Sequence, residues 1–133
     1  MSQENLDLVR SIYAAWERGD FSPAEWADPE IEFVRVGGVS AGRVTGTSGM
    51  AAAWSSWLDA WEDFRARAEE YRDLGERVLV LNHFSGAGKT SGIELDQIQT
   101  RGAHLFHISE GKVVKLVTYW DRDRALADLG LAE

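Results

Sequence analysis

A chain of 133 residues with no cysteine, 14 Lys+Arg and 22 Asp+Glu, formal net charge -8, is one domain's worth of sequence, long enough to bury ~65–70% of the surface its unfolded form exposes. The acidic balance repels phosphate backbones and anionic membranes, and no basic run offsets it, so nucleic acid and membrane surfaces are not expected partners. Without thiols, disulfide and thiolate chemistry are excluded. Six tryptophans are the unusual feature, because large rings with one polar N–H suit the wall of an apolar cavity as well as a core.

The opening stretch "MSQENLDLVRSIY" has neither a basic n-region nor an apolar h-region, and nothing after it is long and apolar enough to span a bilayer, which leads us to expect a cytoplasmic protein. Leu6, Val9, Tyr13 and Trp16 recur at helical spacing, and Gly19 ends that helix in the left-handed conformation that glycine adopts cheaply. Ser22, Pro23 and Glu25 form a capping box that starts a second, short helix. "EIEFVRV" is a strand by its β-branched and aromatic content, and the glycine-rich "GGVSAGRVTGTSG" is a loop. From about Ser48 to Asp63, Met50, Trp54, Trp57, Leu58 and Trp61 return to helical spacing, giving a third helix. With no linker, repeat or low-complexity tract, residues 1–133 read as a single domain.

The second half changes period. "FRARAEEYRDLG", "RVLVLNHFSG", "SGIELDQIQTRGAHLFHIS" and "KVVKLVTYW" alternate or run apolar between glycines, as successive antiparallel strands do. The last two form a hairpin turned at "SEGK". Asp121 then caps a final short helix, "RDRALADLG". Helices first and a strand meander afterwards is an α+β pattern, in which the sheet buries one face against the helices.

In this order "LVRSIYAAWERGDF", "ADPEIEF", the Gly46-containing loop that opens a helix, "DLGERVLVL" and "HLFHISEGKVVKLVTYWDRDRAL" resemble the NTF2-like superfamily, and within it the SnoaL-like branch of polyketide cyclase relatives. The resemblance covers nearly the whole chain. It implies a cone, with three N-terminal helices packed on a curved, mostly antiparallel sheet that encloses a deep pocket, and a homodimer that pairs on the outer sheet face. It does not fix a function, because the superfamily hosts isomerases, cyclases, dehydratases, epoxide hydrolases and binders without catalysis. Ketosteroid isomerases of the superfamily use a tyrosine on the first helix, a base aspartate on the first strand and a protonated aspartate on a histidine-led strand. Carried onto this chain, the tyrosine falls on Tyr13, the base on Val34 and the acid on Ala103. Two of the three groups are missing.

With Ala103 taken as inward, strand alternation puts Leu105, His107, Arg101, Gln99 and Gln97 on the pocket face, and His104, Phe106 and Ile108 on the outer face in the dimer interface. The same registry lines the neighbouring strands with Leu79, Leu81 and His83, and with Leu116, Thr118 and Trp120. The candidate polar groups are then Tyr13, His83, Gln99, Arg101, His107 and Thr118, set among Trp16, Trp54, Trp57 and Trp120; a largely apolar concavity with a few convergent polar groups is what a small-molecule site requires. His83 and Tyr13 form the candidate catalytic pair, because imidazole titrates near neutral pH. Each also has a structural reading: His83 as a satisfied core histidine, Arg101 as a solvated or ion-paired arginine, Tyr13 and the tryptophans as core.

"GAGKTS" fails as a phosphate loop because the leading glycine would have to stand at His83, and "VTGTSG" fails as a dinucleotide fingerprint because Val44 occupies its first glycine position. The three histidines fall on different faces, so no metal site and no cofactor is expected. Two classes of function remain: a pocketed protein that binds an apolar small molecule, and an isomerase, cyclase or dehydratase that works with His83 and Tyr13 in place of the lost carboxylates.

Overall fold

A computed structural model describes residues 2–18, 20, 26–36, 42–59, 61–88 and 101–131. The chain runs α1 (Ser2–Glu17), β1 (Ala27–Val36), β2 (Gly42–Thr45), α2 (Gly46–Asp59), β3 (Trp61–Asp73), β4 (Arg77–Gly88), β5 (Arg101–Ser109), β6 (Lys112–Tyr119) and α3 (Arg122–Asp128). The six strands form one sheet in the order β2-β1-β6-β5-β4-β3. Every neighbouring pair is antiparallel except β1 with β6.

The stripe expected on the first helix is real. Val9, Ile12, Tyr13 and Trp16 are buried on one side of α1, and with Met50 of α2 they pack on the inner sheet face against Ile31, Phe33, Val80, Phe84, Phe106 and Leu116. A second apolar cluster covers the outer face, where Leu79, Leu81, Ala103, Leu105, Val117 and Tyr119 lie with Ala125 and Leu126 of α3. Asp121 caps α3, accepting a hydrogen bond from the Asp123 amide at 3.0 Å, and Arg122 ties the helix start down by donating to Glu69 and to the Asn82 carbonyl oxygen.

Three expectations change. The three helices are not all N-terminal: among the described residues α1 precedes the sheet, α2 follows β1 and β2, and α3 follows β6 and lies on the opposite sheet face. The short helix expected at Ser22 lies outside the described residues. Part of the glycine-rich loop is the edge strand β2, which pairs from Glu32↔Thr45 to Arg35↔Gly42. The third correction is to the side-chain parity of β4 and β5. His104, Phe106 and Ile108 face inward, not into an interface, while Ala103 and Leu105, with Leu79 and Leu81 beside them, face outward beneath α3.

The pairing that would set Ala103 beside the inward Thr118 fails at a bulge in β6, while β5 alternates without a break from Ile108. The β5–β6 hairpin turns through Glu110 and Gly111, both at positive φ (52° and 77°), as a two-residue turn matched to the strand twist requires. It pairs Ser109↔Lys112 and Ile108↔Val113, but the next pair is His107↔Lys115, so Val114 is an extra residue. Had the register continued unbroken, Ala103 would face Thr118 and Leu105 would face Leu116. The bulge puts His104 opposite Thr118 and Phe106 opposite Leu116 instead. A one-residue slip exchanges the two faces of a strand.

Gly102, on the inner face of β5, has no room for a side chain. A Cβ there would collide with the Tyr119 carbonyl oxygen and lie 2.5 Å from the Phe84 ring. Gly102→Ala is expected to destabilise the protein by about 1–3 kcal/mol through overpacking, seen as a Tm roughly 3–12 °C lower. A Tm equal to that of the parent would show that β5 does not pass this close to Phe84.

Candidate functional site

Between α1, α2 and the inner sheet face lies an open cleft lined by Trp16, Phe33, Arg35, Ala53, Trp54, Leu58, Phe64, Ala66, Phe84, His104, Thr118 and Trp120. Its cavity volume is about 50 Å³, within about 530 Å³ of space free of protein atoms that includes open solvent. The cleft is therefore a slot rather than a chamber. Its walls are aromatic. Trp54 meets Trp16 edge to face, with ring centroids 5.5 Å apart, and meets Phe33 at 5.9 Å; on the far side Phe84 packs against Trp120 at 4.6 Å and Phe64 at 5.9 Å.

The polar floor is built from three elements. His104 of β5 is 6% exposed. Its Nδ1 lies 2.5 Å from the Tyr13 hydroxyl of α1 and 2.8 Å from the Asn82 side-chain nitrogen of β4, and that nitrogen donates to the Tyr13 oxygen at 2.9 Å. With its oxygen accepting from Asn82, Tyr13 gives its own proton to Nδ1. The imidazole proton then sits on Nε2, the ring nitrogen away from Tyr13 and Asn82, on a residue that lines the cleft. Burial holds both rings neutral: it lowers the pKa of His104 to about 3 and pushes the Tyr13 phenol well above its usual range. At neutral pH the floor offers an uncharged hydrogen-bond donor. The Asn82 Oδ1 atom is buried and has no partner among the described residues. Rotating the amide would bring that oxygen to Nδ1, move the imidazole proton there and make Nε2 an acceptor.

Four residues expected in the pocket line the cleft: Trp16, Trp54, Thr118 and Trp120. Tyr13 lies behind it, buried against His104. The others are elsewhere. His83 sits on the outward parity of β4, opposite Arg67 and Arg101, and Arg101 is exposed at the start of β5. Ala103 is in the outer cluster. His107, also of outward parity, is half-buried opposite Arg77 and Lys115, and its pKa is lowered by burial and then by those two cations. Val34 packs with the outer cluster, while Phe33 and Arg35 beside it line the cleft. Gln99 and the side chain of Trp57 lie outside the described residues. Sequence reasoning missed Asn82, Arg35 and the inward turn of His104. Asn82 had a signal, as the one amide ending the apolar run "VLVLN".

No group of three or more His, Cys, Asp or Glu suited to a metal ion occurs among the described residues, and no described helix is long and apolar enough to cross a membrane.

Helices on the inner face of a bent antiparallel sheet, with a slot between them ending on buried polar groups, define an α+β protein of the NTF2-like kind. Residues 9–116 match the SnoaL-like domain family, and the chain belongs to it. No curated protein matches significantly. Among solved structures, the chain is similar to an NTF2-like protein from Burkholderia thailandensis E264, with TM-score 0.75, 23% identity and coverage of 85% of this chain and 87% of that one. It is also similar to a provisionally assigned SnoaL-like polyketide cyclase from Jannaschia sp. CCS1 (TM-score 0.77, 16% identity, 89% and 85% covered). A third is TerC co-crystallised with polyporic acid (TM-score 0.74, 18% identity, 95% and 97% covered). At these identities the likeness concerns the fold alone.

The buried imidazole makes stability depend on pH. The folded-state pKa of His104, about 3, lies below the ordinary 6.5, so the unfolded chain takes up the proton first. Stability is complete above pH 6.5 and is lost as pH falls toward 3, at about 1.4 kcal/mol per pH unit. His104→Gln is expected to lose about 2 kcal/mol less than the parent between pH 7 and pH 5 in urea unfolding. His107 shifts in the same direction, and the comparison cancels its contribution. Equal losses in the two proteins would mean that His104 is not buried as a neutral ring.

Proposed function

We propose that this is a small-molecule-binding protein of the SnoaL-like type, holding a flat, mainly apolar ligand in the tryptophan-lined slot with one polar atom of that ligand on His104 Nε2. The observation that carries this reading is the floor itself. A neutral imidazole fixed from behind by Tyr13 and Asn82 is a preorganised donor at the closed end of an apolar cleft, and such sites orient a ligand with few polar contacts. The slot's narrow free space favours planar ring systems. The chain is similar in fold to TerC, which was co-crystallised with polyporic acid.

Catalysis of the isomerase or cyclase kind is the second reading, and the same network favours it. A neutral imidazole can donate to an oxygen on which negative charge develops, as an oxyanion site does. The reading is weaker because no partner base lines the cleft: none of the lining residues is Asp or Glu. His104, with a pKa of about 3, is far from the value that makes a general base effective near neutral pH.

The test is a titration that follows tryptophan fluorescence with methyl naphthoate, a flat neutral probe. Saturable quenching is expected with a Kd on the order of 0.1 mM. Ala53→Phe, which fills the slot from α2, is expected to abolish it while leaving Tm within a few degrees. Quenching that never saturates, or that is unchanged in Ala53→Phe, would remove the cleft as the binding site.

A further inference from the structure

Arg35 is a cation that the floor network does not use. It lines the cleft, its guanidinium carbon is 5.7 Å from the centre of the Phe33 ring, and its Nε is buried with no hydrogen-bond partner among the described residues. Its neighbour on β1, Glu32, cannot serve. Strand alternation aims Glu32 at the other face, where Arg43 and Lys115 hold it at 2.7 and 3.9 Å. The cleft lining contains no carboxylate. A partly buried charge loses hydration that something has to replace, and in a chain with 22 acidic residues no described one is placed to replace it.

The register sets Arg35 in a polar row. Arg35 pairs with Thr118 across β1 and β6, and Thr118 pairs with His104 across β6 and β5. Residues paired in this way share a face, with strands ~4.8 Å apart. Arg35, Thr118 and His104 thus sit side by side across the cleft floor, one from each of three neighbouring strands. On the remaining strand the position opposite Arg35 is Gly42. A Cβ there would stand 3.6 Å from Arg35 Nη2, so the bare glycine keeps that side of the fork clear. The row is rich in donors and carries no negative charge.

We infer that the ligand is a planar aromatic carboxylate, with its acid group paired to Arg35 and its rings against Trp16, Trp54 and Trp120. The inference rests on the cleft being the ligand site. A carboxylate presents two coplanar oxygens that match the guanidinium fork, and its single charge balances the single cation. A phosphate monoester brings up to twice that charge and would leave part of it unmet.

Naphthoate and its neutral methyl ester share one ring system and differ in charge, so the pair isolates the contribution of Arg35. The parent protein is expected to bind naphthoate about 10- to 100-fold more tightly than the ester, the range for a charge-assisted pair. Arg35→Met is expected to weaken naphthoate to the level of the ester without changing the ester, and Arg35→Lys to keep part of the preference. Arg35→Gln serves the same purpose should the methionine variant fail to fold. Equal affinities in the parent, or a preference that survives in the Met or Gln variant, would overturn the inference while ester binding upheld the cleft. Failure of both probes to bind would remove the cleft reading and the inference together.

Discussion

The pairing of β5 with β6 is in step at the turn and one residue out of step beyond it, and the site depends on that offset. Because His107 pairs with Lys115 and not with Val114, β5 alternates regularly from Ile108 to His104 while every residue of β6 beyond the bulge presents the opposite face from the one an unbroken hairpin would give it. Leu116 and Thr118 thereby join Ile108, Phe106 and His104 on the inner face. Next to β5, β4 pairs without a break, so Val80 and Asn82 turn inward with His104, while Leu79 and Leu81 turn outward with Ala103. The Tyr13–His104–Asn82 contact exists because three residues from α1, β5 and β4 are brought to one face at one level.

That contact stabilises a polar group where the surroundings oppose one. His104 sits among Trp16, Phe84 and Phe106, with ring centroids at 5.2, 5.6 and 6.0 Å, and an imidazolium there would lose most of its hydration. The ring remains neutral, and a neutral ring needs only its two nitrogens satisfied. Nδ1 is satisfied by Tyr13 and Asn82, which leaves Nε2 as the nitrogen open to a ligand in the reading proposed above. Asn82 carries a cost, because an unpartnered buried amide oxygen forgoes about 1–3 kcal/mol. That cost is tolerated in the molecule that also fixes the direction of Nε2.

The periodic parts of the fold could be read from the residues alone. The stripe Val9, Tyr13, Trp16, the aromatic strand "EIEFVRV", the hairpin at "SEGK" and the cap at Asp121 each follow from local chemistry, and each stands in the structure. Strand β2 is different: four residues from Gly42 to Thr45 hold their conformation by pairing with β1, and no local propensity announces that. Alternation counted from an inward Ala103, the position the family resemblance supplies, assigns β4 and β5 the wrong faces, and an unbroken hairpin, which pairs Ala103 with the inward Thr118, would agree with it. One trace of the bulge is visible in "KVVKLV". Val113 and Leu116 are both apolar and three residues apart, so strict alternation would put them on opposite faces, yet both are buried in the inner core. Carrying family positions onto Val34 and Ala103 placed both one residue away from a cleft-lining side chain, Phe33 or Arg35 in one case and His104 in the other.

The slot remains open because the sheet beneath it is held from both sides. The outer cluster under α3 buries Leu79, Leu81, Leu105 and Val117, and the inner core anchors the far end of the sheet through Val78, Phe106, Ile108 and Val113. Apolar contacts on two faces of one sheet fix its shape without requiring the cleft to close. The tryptophans do the same for the walls, since Trp16 is braced by Trp26 and Trp54, with centroids at 6.2 and 5.5 Å, and large rings held edge to face cannot collapse onto each other. A flat ligand entering such a slot gains contact with rings already in position and pays little to order them, which is where preorganised sites find their affinity. The chemistry that remains for the floor is direction. One neutral donor at His104 and one cation at Arg35, set apart by Thr118 in the same cross-strand row, determine which way round a ligand lies.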